Sequence, residues 1–483
     1  MTAVRERCAA GAARGRAGSL SSMSPGVGFW LALVTRVAAA QTAPTPTPQA
    51  GPPPASPATA PSVQTAPSSQ ADEVWAVHAQ STFIEQYHPA FRSAFRGPNS
   101  LDPGSRGNET YDATLYAGIR PWAGAEFWFD GEINQGFGLS NTEGLVGFPN
   151  GEGAKVGASD PYARIPRVFL RQTIDLGGEA QRNEADINVL GQNITADRIV
   201  MTIGKFSVPD VFDVNDYAHD PRHDFMNWTL IDMGTFDYAA DAWGYSYGFA
   251  AEWYQSWWAL RAGAFALSVV PNDKALDTSG SQFQMIGEAE ARYTAWGQAG
   301  KLKLLGFITR GRMGDFNDAL ASARETDTLP SVAAVREYRS RAGIGLNWQQ
   351  AVTADIGLFA RAGIAEGGRE VYEFTDVDKS ISGGFSLAGK AWGRPDDTWS
   401  LGAVLNDGSR RRKNYLAAGG LGILTGDGAL PNSGPEAALE TFYSYAVNSH
   451  IALSADYQFF NNPAYNRDRG PVSVLGFRAH VQY

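Results

Sequence analysis

Cysteine is almost absent from this 483-residue chain, whose one cysteine is Cys8. A single thiol near the N-terminus excludes an intrachain disulfide framework and leaves no thiol for catalysis in the rest of the chain. Basic residues are also in deficit, with 40 Lys and Arg against 50 Asp and Glu and a formal net charge of −10. We therefore expect no nucleic-acid partner, because proteins that bind nucleic acid carry a basic surface.

Long apolar segments are missing as well. Beyond residue 40 no run approaches the roughly 20 apolar residues that a membrane-spanning helix requires, which excludes a helical membrane protein. Aromatic residues are abundant, with 13 Trp, 18 Tyr and 25 Phe, yet the mean hydropathy is only −0.25. Many rings at low mean hydropathy are typical of a membrane barrel, which has aromatic bands against lipid and a wet lumen.

Two segments precede the part of the chain that can fold. Residues 1–40 carry several arginines, then an apolar stretch, and end in three alanines, which is the order of an export signal. Residues 41–71 consist mainly of Pro, Ala, Thr, Ser and Gln, a composition that cannot bury a core and that favours an extended linker. We predict a cleaved signal at 1–40, a disordered linker at 41–71 and one folded domain at 72–483.

A two-residue period runs through that domain. At the C-terminus, apolar residues from Leu475 to Tyr483 alternate with Gly476, Arg478, His480 and Gln482. Because alternate side chains of a strand point to opposite faces, this strand has an apolar face and a polar face. Similar alternation recurs at 243–253, 285–295, 341–348, 355–362 and 450–459.

The charges of these segments fall on the face opposite the apolar one, as for Glu288, Glu290, Arg292 and Arg361. An Arg at the lipid midplane costs roughly 2–4 kcal/mol, whereas a wet lumen accepts it at little cost. The pattern predicts an all-β protein, a closed transmembrane antiparallel β-barrel with long extracellular loops. The length fits about 16 strands, within a range of 14–18, and a barrel of that size leaves an aqueous channel.

Acidic residues crowd one segment between Asp210 and Asp220. Their spacing lacks the glycine of a calcium-binding EF-hand loop. We predict instead a loop that folds into the lumen and is held there by hydrogen bonds and by Arg222. No metal site and no cofactor are expected.

Several longer motifs lie along the domain. They are Gly204–Val208 (GKFSV), Asp213–Tyr217, Ala218–Arg222 (AHDPR), Phe225–Trp228 (FMNW), Ala333–Arg336, Tyr338–Arg341, Gly357–Gly363 (GLFARAG), Tyr415–Gly428 (YLAAGGLGILTGDG), Asp456–Phe459 and Asn462–Val472 (NPAYNRDRGPV). Together they resemble the carbohydrate-selective porins of the OprB type. The resemblance extends from about Phe83 to Tyr483 and does not include the Pro-rich segment.

That resemblance implies a 16-stranded barrel in the outer membrane of a Gram-negative bacterium. Sugars, above all glucose, would diffuse through it passively, without a cofactor and without enzymatic chemistry. Outer-membrane lipid and lipopolysaccharide would surround it, and Tyr483 would be a terminal aromatic signal for the outer-membrane assembly machinery. Whether the porin is a monomer or a homotrimer stays open.

A passage selective for sugars needs hydrogen-bonding groups and an aromatic surface, and it must bind weakly enough to release the solute. If Ala125, Phe127, Phe129 and Ile133 face lipid, their neighbours of the same strand face the lumen. We hypothesise that the channel constriction comprises such inward residues. The candidates are Glu126, Trp128, Asp130, Glu132, Arg167, Arg171, Arg261, Glu288, Arg292 and Arg361.

Two other functions remain open. A general or anion-leaning porin would share the barrel and have no preference for sugars. An adhesin or a barrel tethered to the cell wall would place its function in residues 41–70 and in the surface loops.

Overall fold

The computed structural model describes residues 71–153 and 157–483, and the predicted signal at 1–40 and nearly all of the predicted linker lie outside these ranges. The described residues form a closed antiparallel barrel in which β1 pairs with β16. Its sixteen strands are β1 (Trp75–His88), β2 (Arg106–Ile119), β3 (Ala125–Gly136), β4 (Ala158–Asn183), β5 (Gln192–Phe206), β6 (Ser246–Gln255), β7 (Trp258–Ala266), β8 (Phe283–Ala295), β9 (Gln298–Met313), β10 (Glu337–Ala351), β11 (Ile356–Ala365), β12 (Lys379–Ala388), β13 (Thr398–Asp407), β14 (Glu436–Asn448), β15 (Ile451–Asn461) and β16 (Val472–Gln482).

Short helical pieces occur only in the connections among the described residues. The α-helices are Trp228–Ile231, Phe316–Thr326 and Arg410–Ala417, and the 3₁₀ turns are Leu139–Thr142, Val208–Asp210, Val332–Val335, Gly389–Trp392 and Pro463–Tyr465. In the described part of the chain, no helix combines the length and apolarity needed to traverse a bilayer.

The connections differ in length at the two ends of the barrel. At the end where β1 starts and β16 finishes, the turns run from two residues, as at 256–257, to nine residues at 389–397. At the other end they run from ten residues at 462–471 to 39 residues at 207–245. Short turns face the periplasm and long loops face the exterior in barrels of this kind, which orients the molecule.

The alternation predicted for the strands is confirmed. On β16 the exposed residues are Leu475 and Phe477, followed by the exposed Tyr483, whereas Arg478 and His480 are buried inside the barrel. Exposed rings also mark the periplasmic rim, among them Trp75, Trp122, Trp257 and Trp296. These rings form the aromatic belt that membrane barrels place at the lipid–water boundary.

The lumen holds a folded plug rather than open water alone. The long loop at 207–245, which we call the plug loop, buries an apolar core of its own against rings that point inward from the barrel wall. The ring of Phe225 lies 5.3 Å from Phe359 and 5.2 Å from Phe442, and that of Phe236 lies 5.3 Å from Phe307. The prediction that this segment folds into the lumen is therefore confirmed.

Two boundary predictions are wrong. The alternation at 243–253 predicts that Trp243 and Tyr245 lie on the apolar face of a strand, but β6 begins at Ser246 and both residues belong to the loop, where Tyr245 is buried. Ala125 was expected to face lipid, yet it is buried at the start of β3 because the preceding turn folds over it, its N–H donating to the Trp122 carbonyl at 3.1 Å.

Candidate functional site

Three ion pairs follow one another along β3 and β4, with the acids on β3 and the arginines on β4. Strand pairing sets Glu126 opposite Arg171, Asp130 opposite Arg167, and Glu132 opposite Arg164. The Arg171–Glu126 and Arg167–Asp130 pairs measure 3.5 and 3.6 Å, and Arg164 also contacts Glu132. All six side chains point into the barrel, so the predicted inward face of β3 is confirmed and its partners are identified. We refer to these three pairs as the charge ladder.

The periplasmic turn at 184–191 folds against the base of this ladder. Asn188 donates to Asp130 at 3.0 Å, and its carbonyl accepts a hydrogen bond of 2.7 Å from Arg171. The backbone N–H of Leu190 donates to Glu126 at 3.1 Å, and Gln192 donates to the same carboxylate at 3.0 Å. The acidic side of the ladder is therefore held in fixed orientations by neutral donors as well as by arginines.

Trp128 lies between Glu126 and Asp130 on the inward face of β3, but its ring is covered by neighbouring residues. Its side chain is 0 % exposed, and its indole N–H donates to Glu126 at 3.0 Å. The ring stacks on His78 at a centroid distance of 6.2 Å. A Cβ on Gly118 would sit 2.6 Å from the indole, so the tight packing requires glycine there. The indole of Trp128 therefore helps to fix the orientation of the Glu126 carboxylate.

Arg261 is the centre of a second charged group, on β6 to β9. Its guanidinium contacts Glu288 at 2.8 Å, Glu290 at 3.0 Å and Glu252 at 3.0 Å. Lys303 lies 3.7 Å from Glu290 on the neighbouring strand. Buried charges in such a group are tolerable because each has partners of opposite sign.

Tyr254 is an aromatic residue of this second group that the sequence pattern did not single out. Three guanidinium groups lie over its ring, those of Arg198 at 4.1 Å, Arg261 at 5.3 Å and Arg292 at 5.6 Å from the centroid. Arg292 also donates to the carbonyls of Gln255 and Trp258 and lies 3.5 Å from Glu290. The group thus offers cations and a ring on one stretch of wall.

Arg361 and Glu288, both predicted at the constriction, hold the plug loop. Arg361 donates to the carbonyls of Leu230 and Ala218, both at 2.8 Å, and pairs with Asp213 at 3.2 Å. Glu288 accepts the backbone N–H of Asp213 at 2.8 Å. Because both side chains are almost fully buried, they position the loop and meet no open water.

Further inward residues fasten the same loop on the other side. Arg478 donates to the carbonyls of Pro221, His223 and Asp224 at 2.6–2.9 Å. Arg222 pairs with Glu152 at 2.9 Å and with Asp112 at 3.5 Å, as predicted for a residue that holds this loop.

The exposed charges of the lumen lie on one side of the plug. On the wall, the side chains of Arg171, Arg292 and Lys301 are 21 %, 29 % and 24 % exposed, and on the loop that of Asp210 is 27 % exposed. On the opposite wall, by contrast, the inward charges Arg361 and Glu440 are buried against the loop, and Arg341 is buried mainly against residues 366–378. This asymmetry indicates that water reaches the space between the loop and strands β3–β9.

Two carboxyl groups of the plug loop have raised pKa values. Burial raises the pKa of Asp232 to about 8, reinforced by the nearby Asp213 and opposed by Arg361. Burial likewise raises the pKa of Asp224 to about 7, against the lowering effect of the backbone N–H of Asp220. The loop therefore contains acids that change their charge close to neutral pH.

The acidic residues of the loop are not arranged for a metal. Within residues 71–153 and 157–483, no three His, Cys, Asp or Glu side chains come together as metal ligands. Asp213 instead accepts hydrogen bonds from Asn347 and from the backbone N–H of Met233.

The comparisons with known proteins agree with this architecture. The family model for carbohydrate-selective porins, OprB family, matches residues 99–483. The high-pH structure of Pseudomonas putida OprB is similar, with a TM-score of 0.65 and 15% identity over 85% of this chain and 94% of that chain. The outer membrane channel DcaP of Acinetobacter baumannii gives a TM-score of 0.48 and 10% identity over 85% of this chain and 97% of that chain. None of the curated proteins compared matches the chain.

Proposed function

We propose, because the chain belongs to the carbohydrate-selective porin family, that it carries small neutral sugars, glucose in particular, through the space between the plug loop and strands β3–β9. The coarser conclusion is established: the protein is a porin of the Gram-negative outer membrane, a channel for small solutes that lies in outer-membrane lipid. The preference for sugars and the residues that produce it form the proposal.

The observation that carries the proposal is the charge ladder with its partly exposed arginines. Arg167 and Arg171 each pair with an acid, so the wall offers donors while its net charge stays small, and the partly exposed carboxylate of Asp210 adds acceptors. A sugar presents hydroxyl groups that donate and accept, and it can exchange hydrogen bonds with such a wall. An anion or a cation gains less binding free energy, because the wall charge of opposite sign is already neutralised by a fixed partner.

Weak and repeated contacts fit a passive channel. Solute binding has to be favourable enough for entry and weak enough for release. Water reaches the side chains of Arg171 on β4 and Arg292 on β8. A sugar can exchange contacts with both groups, and Tyr254 is the aromatic residue of the second group.

The site residues divide into two proposed roles. Arg167, Arg171 and Arg292, whose side chains are partly exposed, form the surface that the sugar meets. The buried residues Glu126, Asp130, Glu132 and Arg261 hold that surface in place. Trp128, Glu288 and Arg361 are positioning residues, because they are buried and contact other protein groups.

The decisive experiment is reconstitution of single channels in a planar bilayer with a glucose titration. We expect glucose to reduce the ion current in the parent protein, and Arg171→Gln to weaken that block several-fold while the barrel still inserts. Arg324→Gln, on the exposed helix Phe316–Thr326, is the matched control and should leave the block unchanged. A glucose block that Arg171→Ala and Trp128→Ala both leave intact would contradict the site.

A general diffusion porin is the second candidate, since the lumen also holds partly exposed charges of both signs, such as Lys301 and Asp210. Liposome swelling with glucose and with charged solutes of equal size separates the two functions. Equal swelling rates would favour the general porin. An adhesive or tethering function would instead survive loss of conductance and would be abolished by deletion of 41–70.

A further inference from the structure

The lipid-facing side of the barrel carries an apolar groove of about 660 Å³ across β5 to β10. Its walls include Trp253, Leu260, Leu304 and Ile344, which are exposed, and its floor includes Gly287 and Ala289. No protein group covers it in the described part of the chain. A groove of this kind admits an acyl chain more closely than a smooth barrel surface does.

Two unpaired arginines stand directly above that groove. On β9 the exposed outward residues Leu302, Leu304 and Ile308 are followed on the same face by Arg310 and Arg312. Neither guanidinium has a carboxylate within salt-bridge distance among residues 71–153 and 157–483, although most arginines of the barrel lumen do. β9 ends at the extracellular rim, so both cations lie at the outer boundary of the membrane.

The distance between the two features suits a lipid. Arg310 follows Gly306, a groove residue, by four positions, and a strand rises about 3.4 Å per residue, which separates them by roughly 14 Å along the strand. Medium-length acyl chains span that distance. This positive charge is confined to one part of the extracellular rim. At the same end of the barrel, β1 and β2 place the acids Glu85 and Glu109 outward and directly opposite each other.

Register places further suitable groups beside the arginines. Arg312 pairs with Tyr338 of β10, which is exposed, and Arg310 pairs with Ser340. Lys379 begins β12 on the outward face and is exposed, three strands from β9. With strands about 4.8 Å apart, it lies on the order of 15 Å from the arginines.

We propose that this surface, the arginine rim above the β5–β10 groove, binds a phosphorylated lipid of the outer leaflet. The phosphate groups are held by Arg310 and Arg312, and acyl chains lie in the groove. Arginine is suited to this task because its planar fork matches phosphate oxygens in pairs. The inference does not depend on which solute the channel carries, since none of these side chains faces the lumen.

The test uses the full barrel, purified in detergent, and native mass spectrometry with three probes. These are hexa-acylated lipid A, the same lipid with both phosphates removed, and inorganic pyrophosphate. We expect lipid A to bind the parent, R310Q/R312Q to weaken binding at least tenfold, and the dephosphorylated lipid to bind little. R324Q/R410Q removes the same charge from exposed extracellular helices and should bind like the parent.

A second variant tests the groove. A Cβ on Gly287 meets no atom within 4 Å, so Gly287→Leu projects into the groove without disturbing the barrel. It should weaken lipid A binding about as much as R310Q/R312Q, and conductance should be unchanged in both.

Several results would overturn the proposal. If R310Q/R312Q binds lipid A like the parent, the two arginines do not contribute to binding. Equal binding of the dephosphorylated lipid shows an apolar surface without phosphate recognition. Full competition by pyrophosphate shows an anion site that does not use the groove. If Gly287→Leu instead changes the number of chains per particle, the groove is an interface between copies.

Discussion

Arg167 on β4 joins the barrel wall to the plug loop through Asp210: its Nε and Nη2 donate to the two carboxylate oxygens at 2.8 and 2.7 Å. The same guanidinium lies 3.6 Å from Asp130 on β3. One residue therefore connects the charge ladder to the loop that narrows the lumen. The width of the proposed passage depends on this connection, because the loop forms its other side.

Asp210→Asn should widen the passage and weaken sugar binding. Asparagine cannot accept both arginine hydrogen bonds, so the loop loses part of its attachment. We expect a larger single-channel conductance and a three- to tenfold higher glucose concentration at half block, equivalent to about 0.7–1.4 kcal/mol, the usual worth of a hydrogen bond. Asp318→Asn is the matched control, because Asp318 pairs with Arg339 on the extracellular surface. Equal effects of the two variants would rule out a specific role for Asp210.

Arg361→Gln should loosen the plug loop. Removal of one partner of a buried ion pair costs about 3–5 kcal/mol, and Arg361 also loses its hydrogen bonds to the loop carbonyls. We expect a lower unfolding temperature and an unsteady, larger ion current. Arg361→Lys, which keeps the charge without the fork, should fall between the two proteins. A quiet current of parental size from Arg361→Gln would show that the loop is held by its apolar core alone.

The plug loop should lose stability as the pH rises through 8. Asp232 has a folded-state pKa of about 8, far above the ordinary value near 3.8, so folding favours its protonated form. Its contribution is fully present below the unfolded pKa and is lost progressively up to pH 8. We expect the unfolding temperature of the parent to fall between pH 5 and pH 8 more steeply than that of Asp232→Asn, which stays neutral. Parallel pH profiles for the two proteins would contradict the assignment.

The facing of the strands could be predicted from sequence because it depends on a period of two residues. Glu126, Asp130 and Glu132 were placed in the lumen for that reason, and so were Arg167 and Arg171. Arg164 was not, because a register shift between Asp130 and Glu132 brings it opposite Glu132. An irregularity of this kind leaves no signal in an alternation pattern.

Contacts between distant parts of the chain could not be predicted at all. Arg361 was expected to line the channel as a lumen charge, but its partners lie in a loop more than 130 residues earlier. The burial of Trp128 similarly depends on His78 and Gly118 of two neighbouring strands. The local pattern predicts the direction of such a side chain. Its burial depends on residues that are distant in the sequence.

Tyr483 has observed backbone hydrogen bonds and a predicted role as an assembly signal, and a pair of variants can separate the two. Its N–H donates to the Ala79 carbonyl and its carbonyl accepts the Ala79 N–H, both at 2.8 Å, so its backbone closes the barrel between β16 and β1. Its ring is 79 % exposed at the periplasmic rim, where the assembly machinery could contact it. Tyr483→Ala keeps the backbone bonds and removes the ring, whereas deletion of Tyr483 removes both.

If the ring is the assembly signal, the two variants should be depleted from the outer membrane to a similar extent in cells. Refolding of Tyr483→Ala into detergent micelles, without the machinery, should proceed as for the parent, because barrel closure is intact. Heat modifiability on gels measures the folded fraction in both settings. Normal assembly of Tyr483→Ala in cells together with a defect of the deletion would assign the role to the two backbone hydrogen bonds, since these are what the variants do not share.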